Sequence, residues 1–149
     1  MSASPAPGPP AARPFAPADL GDREAVRFRA FPAFLPGDPR RYHLWVTTER
    51  LLLPRDVWGV LYVWSEPTPG WSIPLPRVTG AWKVPGGPAV ADRAGLPEEA
   101  EGFEALRLRL GREERTVLLA QADPAVASLV RTREIRRHGA AGGPSGGPG

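Results

Sequence analysis

The chain has 149 residues, with 42% apolar content, 20 prolines, 17 glycines and no cysteine. That is enough for one modest core, and it excludes disulfides, thiolate metal sites and a cysteine nucleophile. The net charge of +3 comes from 19 basic against 16 acidic residues. Basic and acidic residues are interleaved, as on a solvated mixed-charge surface, so nucleic acid is not an expected partner.

Residues 1–18 are rich in Ala and Pro with one charge, Arg13, and read as an extended, disordered arm. The ordered domain is expected over residues 19–138, and residues 139–149, rich in glycine, read as a flexible tail. No apolar run is long enough for a membrane-spanning helix, and the first 17 residues lack the apolar block of a signal peptide. The expected compartment is the cytoplasm.

Strand signals dominate the interior. Val26 to Leu35 alternates, with Val26, Phe28 and Ala30 on one face and Arg27, Arg29 and Phe31 on the other, bending near Pro32. Leu35 to Pro39 is a turn by its chemistry, and a second strand runs from Arg41 to Thr48. Thr47-Thr48-Glu49-Arg50 closes a hairpin that returns through Leu51-Leu52-Leu53, and Val57 to Trp64 is read as one further strand. Two short strands are expected at Trp71–Leu75 and Val78–Val84, where Pro74 and Pro76 predict an edge or irregular strand.

Pro85 to Gly102 reads as a long loop, with a weak helical turn at Ala89–Ala94. In Phe103 to Leu110, Leu106, Leu108 and Leu110 alternate with Arg107 and Arg109, a period of two that excludes a helix. Gly111 to Glu114 turns the chain, and Arg115 to Ala120 runs back. Asp123-Pro124 starts a terminal helix, with Asp123 as its cap. Val126, Leu129 and Val130 share one face, and Gly139 is the stop. About seven antiparallel strands and one closing helix predict a mainly β fold, a curved barrel capped by the helix.

The run Tyr42-His43-Leu44-Trp45-Val46-Thr47-Thr48-Glu49-Arg50-Leu51-Leu52-Leu53 resembles a hairpin of bacterial pleckstrin-homology-like and GRAM-like domains. Ser72-Ile73-Pro74-Leu75-Pro76-Arg77-Val78-Thr79-Gly80 is similar to a later strand of that family, and the last hairpin followed by Asp123-Pro124 and a helix matches its ending. The segment Arg55 to Gly70 and the loop Pro85 to Gly102 are longer than the family pattern. The resemblance implies a scaffold that binds lipids, peptides or proteins, and rarely catalysis.

Its phospholipid sites lie in loops at the open end of the barrel. Carried onto this chain, those loops hold Arg40 and Arg41, then Arg55, then Arg112, with Asp38, Asp56, Glu113 and Glu114 beside them. Guanidinium groups suit phosphate oxygens, and the neighbouring carboxylates oppose an anion.

The reactive chemistry is sparse. Two histidines, His43 and His138, make no cluster, and neither a metal nor a cofactor is expected. The lone lysine, Lys83, lies in a strand rather than a Walker loop. Gly143-Pro144-Ser145-Gly146-Gly147 has the letters of a nucleophile elbow in a glycine tail, where no strand-to-helix turn can form it. Of five tryptophans, Trp45 is expected in the core. Trp58, Trp64 and Trp71 flank the Pro-rich break near 65–70, where an exposed indole would anchor a partner or sit at a lipid surface, although core packing is the preferred reading for each. The leading expectation is a non-enzymatic interaction module with a protein partner. Attachment to anionic lipid through Arg40, Arg41, Arg55 and Arg112 is the second, and an enzyme of unrecognised type using the Pro85–Gly102 loop, where Glu98, Glu99 and Glu101 cluster, is the third.

Overall fold

The structure is a computed structural model, and it describes residues 13–15, 20–63 and 71–141. The expected Trp64, the Pro-rich break at 65–70, most of the N-terminal arm and residues 142–149 lie outside the described residues.

Ten strands and one long helix form the domain: β1 (Arg13–Phe15), β2 (Val26–Leu35), β3 (Asp38–Thr47), β4 (Arg50–Leu52), β5 (Arg55–Val57), β6 (Val60–Val63), β7 (Ser72–Pro74), β8 (Val78–Lys83), β9 (Glu104–Leu110) and β10 (Glu113–Leu119). A short helix α1 (Val90–Arg93) lies between β8 and β9, and α2 (Asp123–Ala141) ends the described chain. All pairings are antiparallel, in the order β1-β6-β5-β3-β2-β10-β9-β8, with β4 also on β3 and β7 on β4.

The fold is mainly β, as expected, but the sheet is not a closed barrel. Among the described residues β8 bonds only to β9, and β7 only to β4, so no ladder joins them across the Leu75–Arg77 turn. Pro74 ends β7 and Pro76 sits in that turn, each without an N–H to donate, so the seam falls where the prolines are. The sheet curls round one core instead. Leu44, Val46, Leu51, Ile73, Leu75, Leu106, Leu108, Val117 and Leu119 are fully buried in it, drawn from both sides of the seam.

Alternation explains most of this. In β9, Leu106, Leu108 and Leu110 are buried while Arg109 is exposed, and in β2 the expected faces hold through Phe31. Between Ala30 and Ala33 the register shifts at the Phe31–Pro32 step, and Ala33 and Phe34 are then both buried on opposite faces.

Five expectations differ from the structure. Val57 to Trp64 is not one strand: Trp58-Gly59 makes a two-residue turn between β5 and β6, with φ of 52° and 84°. Arg13–Phe15, placed in the arm, pairs with β6. In α2 the inward side chains are Ala125, Val126, Leu129 and Thr132, so the expected inward positions of Val126 and Leu129 hold, while Val130 faces out. The helix runs past Gly139, and Asp123 and Pro124 are its first two residues rather than a cap and its successor. The Ala122 N–H just before them donates to Glu104 Oε1 at 2.8 Å, so β9 supplies the helix start with its acceptor.

An ion pair with its hydrogen bonds joins Glu24 to Arg50 and Thr47 at the other end of the domain. Glu24 accepts Arg50 Nη2 at 2.8 Å and Arg50 Nε at 2.9 Å, the Thr47 hydroxyl at 2.5 Å and the Gly21 N–H at 3.0 Å. Burial alone would raise the carboxyl, but these donors outweigh it and bring its pKa down to about 2.

Candidate functional site

Strand register decides which turns share an end. β2 ends at Leu35 where β3 begins, and β5, antiparallel to β3 with Arg55 opposite Tyr42, runs toward the start of β3. The turns Pro36-Gly37 and Trp58-Gly59 therefore emerge at the same end. β10 is antiparallel to β2 through Leu118 and Phe34, so Gly111-Arg112 lies beyond Leu35 in the same strand direction. These three turns are the ones that the resemblance assigns to the open end.

The arginines placed there differ in their surroundings. Arg40 is held by Asp38, Nε to Oδ1 at 2.7 Å and Nη2 to Oδ2 at 2.9 Å. Asp38 also accepts the Tyr42 hydroxyl at 2.7 Å and the Arg40 N–H at 3.0 Å, so its carboxyl, although partly buried, is held below its usual range. Tyr42 is fully buried, and burial together with that carboxylate pushes its phenol well up. Arg41 points the other way and pairs with Glu99 of the 98–100 turn, Nε to Oε1 at 2.5 Å. Arg55 and Arg112 have no ion pair among the described residues. Arg115 lies with its guanidinium 5.3 Å from the Trp71 ring centroid, at the mouth of the core.

The outward face of β2 and β3 carries a second group. Phe31, 54% exposed, stacks on His43 with ring centroids 4.3 Å apart, and His43 meets Trp45 edge-on at 6.4 Å. The Arg29 guanidinium lies 4.8 Å from the Trp45 ring centroid, a cation over an aromatic face. Burial lowers the pKa of His43; Asp56 opposes this and Arg29 adds to it, so the neutral ring is favoured. Two small cores flank this strip. On one side Leu61 and Val63 of β6 pack on Trp45 and Leu52, and on the other Leu96, Ala100 and Phe103 pack on Phe34 and Leu118. Within this strip Phe31 is the exposed ring, His43 is half-buried and Trp45 is buried.

Trp45 and Trp71 are buried, as the core reading expects. Trp58 is not: it is 98% exposed at the tip of the β5–β6 hairpin. Its turn is pinned by Asp56 Oδ1, which accepts the Gly59 N–H at 2.8 Å. The alternation of β2 placed Phe31 outward in the sequence, but its partner His43 was not legible as one, because the pairing depends on the Phe31–Pro32 register shift.

The Pro85–Gly102 loop holds a shallow, open depression of about 290 Å³, lined by Arg93, Leu96, Pro97, Glu98, Ala100 and Glu101. Glu99 is turned away to Arg41, which separates it from Glu98 and Glu101. Among the described residues no three His, Asp or Glu side chains gather as a metal site, and no helix is long and apolar enough to cross a membrane. A scan of protein-family models finds no match, and no curated protein matches the sequence.

Proposed function

We propose that this chain is a non-catalytic interaction module on a pleckstrin-homology-like scaffold, and that its partner is another protein. The scaffold reading is supported by the neighbour order β7-β4-β3-β2-β10-β9-β8 followed by a helix packed on the core. Those seven strands follow one another as antiparallel neighbours, and β1, β5 and β6 are additions on one edge.

One contrast carries the choice of partner. Arg40 and Arg41, the arginines best placed for an anionic headgroup, each already hold a carboxylate, whereas Phe31 and Trp58 stand exposed. An anion would have to displace Asp38 and Glu99, but a protein surface gains from burying aromatic rings beside arginines, the residue types enriched at binding hot spots.

The test is co-sedimentation of the full chain with phosphatidylserine-containing and with neutral phosphatidylcholine vesicles, at low and high salt. The expected result is no pelleting with either. Pelleting with anionic vesicles that fades with salt and disappears in Arg40→Ala/Arg41→Ala would replace this reading with lipid attachment.

A further inference from the structure

The β5–β6 tip combines an exposed indole with a left-handed backbone at the same residue. Trp58 has a left-handed backbone with φ of 52°, a conformation that side chains with a Cβ adopt at an energetic cost. Two-residue hairpin turns of this kind favour Asn-Gly or Asp-Gly, and a large ring at the first position gains nothing locally. At 98% exposure the indole also has no core contact to offset that cost.

Neighbouring side chains extend the apolar tip. Val57 and Val60 pair at its base, and Val60 is 40% exposed. The Asp56 carboxylate is engaged by the Gly59 N–H inside the turn. Arg55, just before it, and Arg112, on the turn beyond β9, carry guanidiniums with no carboxylate partner among the described residues. The tip therefore offers one indole and a valine, with the Arg55 guanidinium on the same hairpin.

Resting on the protein-partner reading, we infer that the β5–β6 hairpin is a docking finger whose Trp58 inserts into an apolar pocket of a folded protein partner, with Asp or Glu at the pocket rim facing Arg55. The ring supplies a large rigid contact at small entropic cost, and the surrounding surface excludes water from it. The Gly59 N–H to Asp56 Oδ1 bond holds the turn that presents the indole before the partner arrives.

Photo-crosslinking in the cells of origin tests this. The probe is p-benzoylphenylalanine in the full chain at position 58, at 31 on the aromatic strip, and at 90, where Val90 is 88% exposed on α1 as a control. The expected result is a protein adduct from position 58 and not from 90, mapping to an apolar pocket bordered by Asp or Glu. Unlabelled wild-type chain should compete at least tenfold better than Trp58→Asn. Equal adducts from 58 and 90, equal competition by Trp58→Asn, or a mapped surface without acidic residues overturns the docking finger. A protein adduct from 31 alone overturns the finger and leaves the interaction module standing. Protein adducts from neither position overturn both.

Discussion

Replacing Trp58 by Asn should make the domain more stable. The indole is 98% exposed, so its removal forfeits almost no buried area. Its φ of 52° lies in the left-handed region, which costs an L-residue roughly 1–2 kcal/mol. Asparagine tolerates that region better, and Asn-Gly is the favoured pair for a two-residue hairpin, so part of the cost is recovered. A gain of about 0.5–1 kcal/mol follows, equivalent to a rise in Tm of about 3 °C for a domain of this size. Trp58→Gly should gain less, because glycine also frees the unfolded chain. Urea unfolding followed by circular dichroism measures both. If Trp58→Asn lowers stability by about 0.5 kcal/mol or more with an unchanged slope, the indole makes a stabilising contact and the strain argument fails.

The pH, core and hydrogen-bond predictions are separate from that turn. Because the folded pKa of Glu24 is about 2, below its value of 4.5 when unperturbed, its contribution is fully present above pH 4.5 and is lost as pH falls toward 2. That contribution is on the order of 3 kcal/mol, and Glu24→Gln should lower stability at pH 7 and flatten the acid limb of a stability-against-pH curve. Leu108→Ala, at a fully buried position, should cost about 2–5 kcal/mol by denaturant unfolding, while Val130→Ala, 42% exposed on α2, should change stability by less than about 0.5 kcal/mol. Tyr42→Phe removes the hydroxyl that Asp38 accepts at 2.7 Å and should cost about 1 kcal/mol; no measurable change in urea midpoint would mean that Arg40 alone satisfies the carboxylate.

Local patterns were legible in the sequence where a side-chain period of two met a single buried face. Leu106, Leu108 and Leu110 were assigned inward from alternation alone, and Pro74 and Pro76 marked the irregular edge because a missing N–H is a property of the residue itself. The β5–β6 turn was hidden by its composition. Val57-Trp58-Gly59-Val60 reads as an apolar strand, and only the strained backbone at Trp58 reveals the reversal. Long-range partners were also out of reach. The Arg40–Asp38 pair is two residues apart and was suggested by proximity, but Arg41 and Glu99 are separated by 58 positions and meet only because the 98–100 turn lies over β2 and β10. The start of α2 was misplaced by one residue because its acceptor comes from Glu104, 18 residues earlier.

The pairing of β2 with β10 sets the order in which the molecule can be assembled. Ala33 and Phe34 meet Leu119 and Leu118, about 85 residues later in the chain. On a ribosome, β2, β3 and β4 emerge early and can form local hairpins, but the core remains open until the last hairpin has been synthesised and released from the exit tunnel. Folding is then expected to complete only once β10 has emerged and to be slowed by the entropy of joining distant segments. Until that moment Leu44, Val46 and Leu51 have no cover, which makes the interval before β10 arrives the stage at which a nascent chain is most exposed to aggregation and chaperone capture.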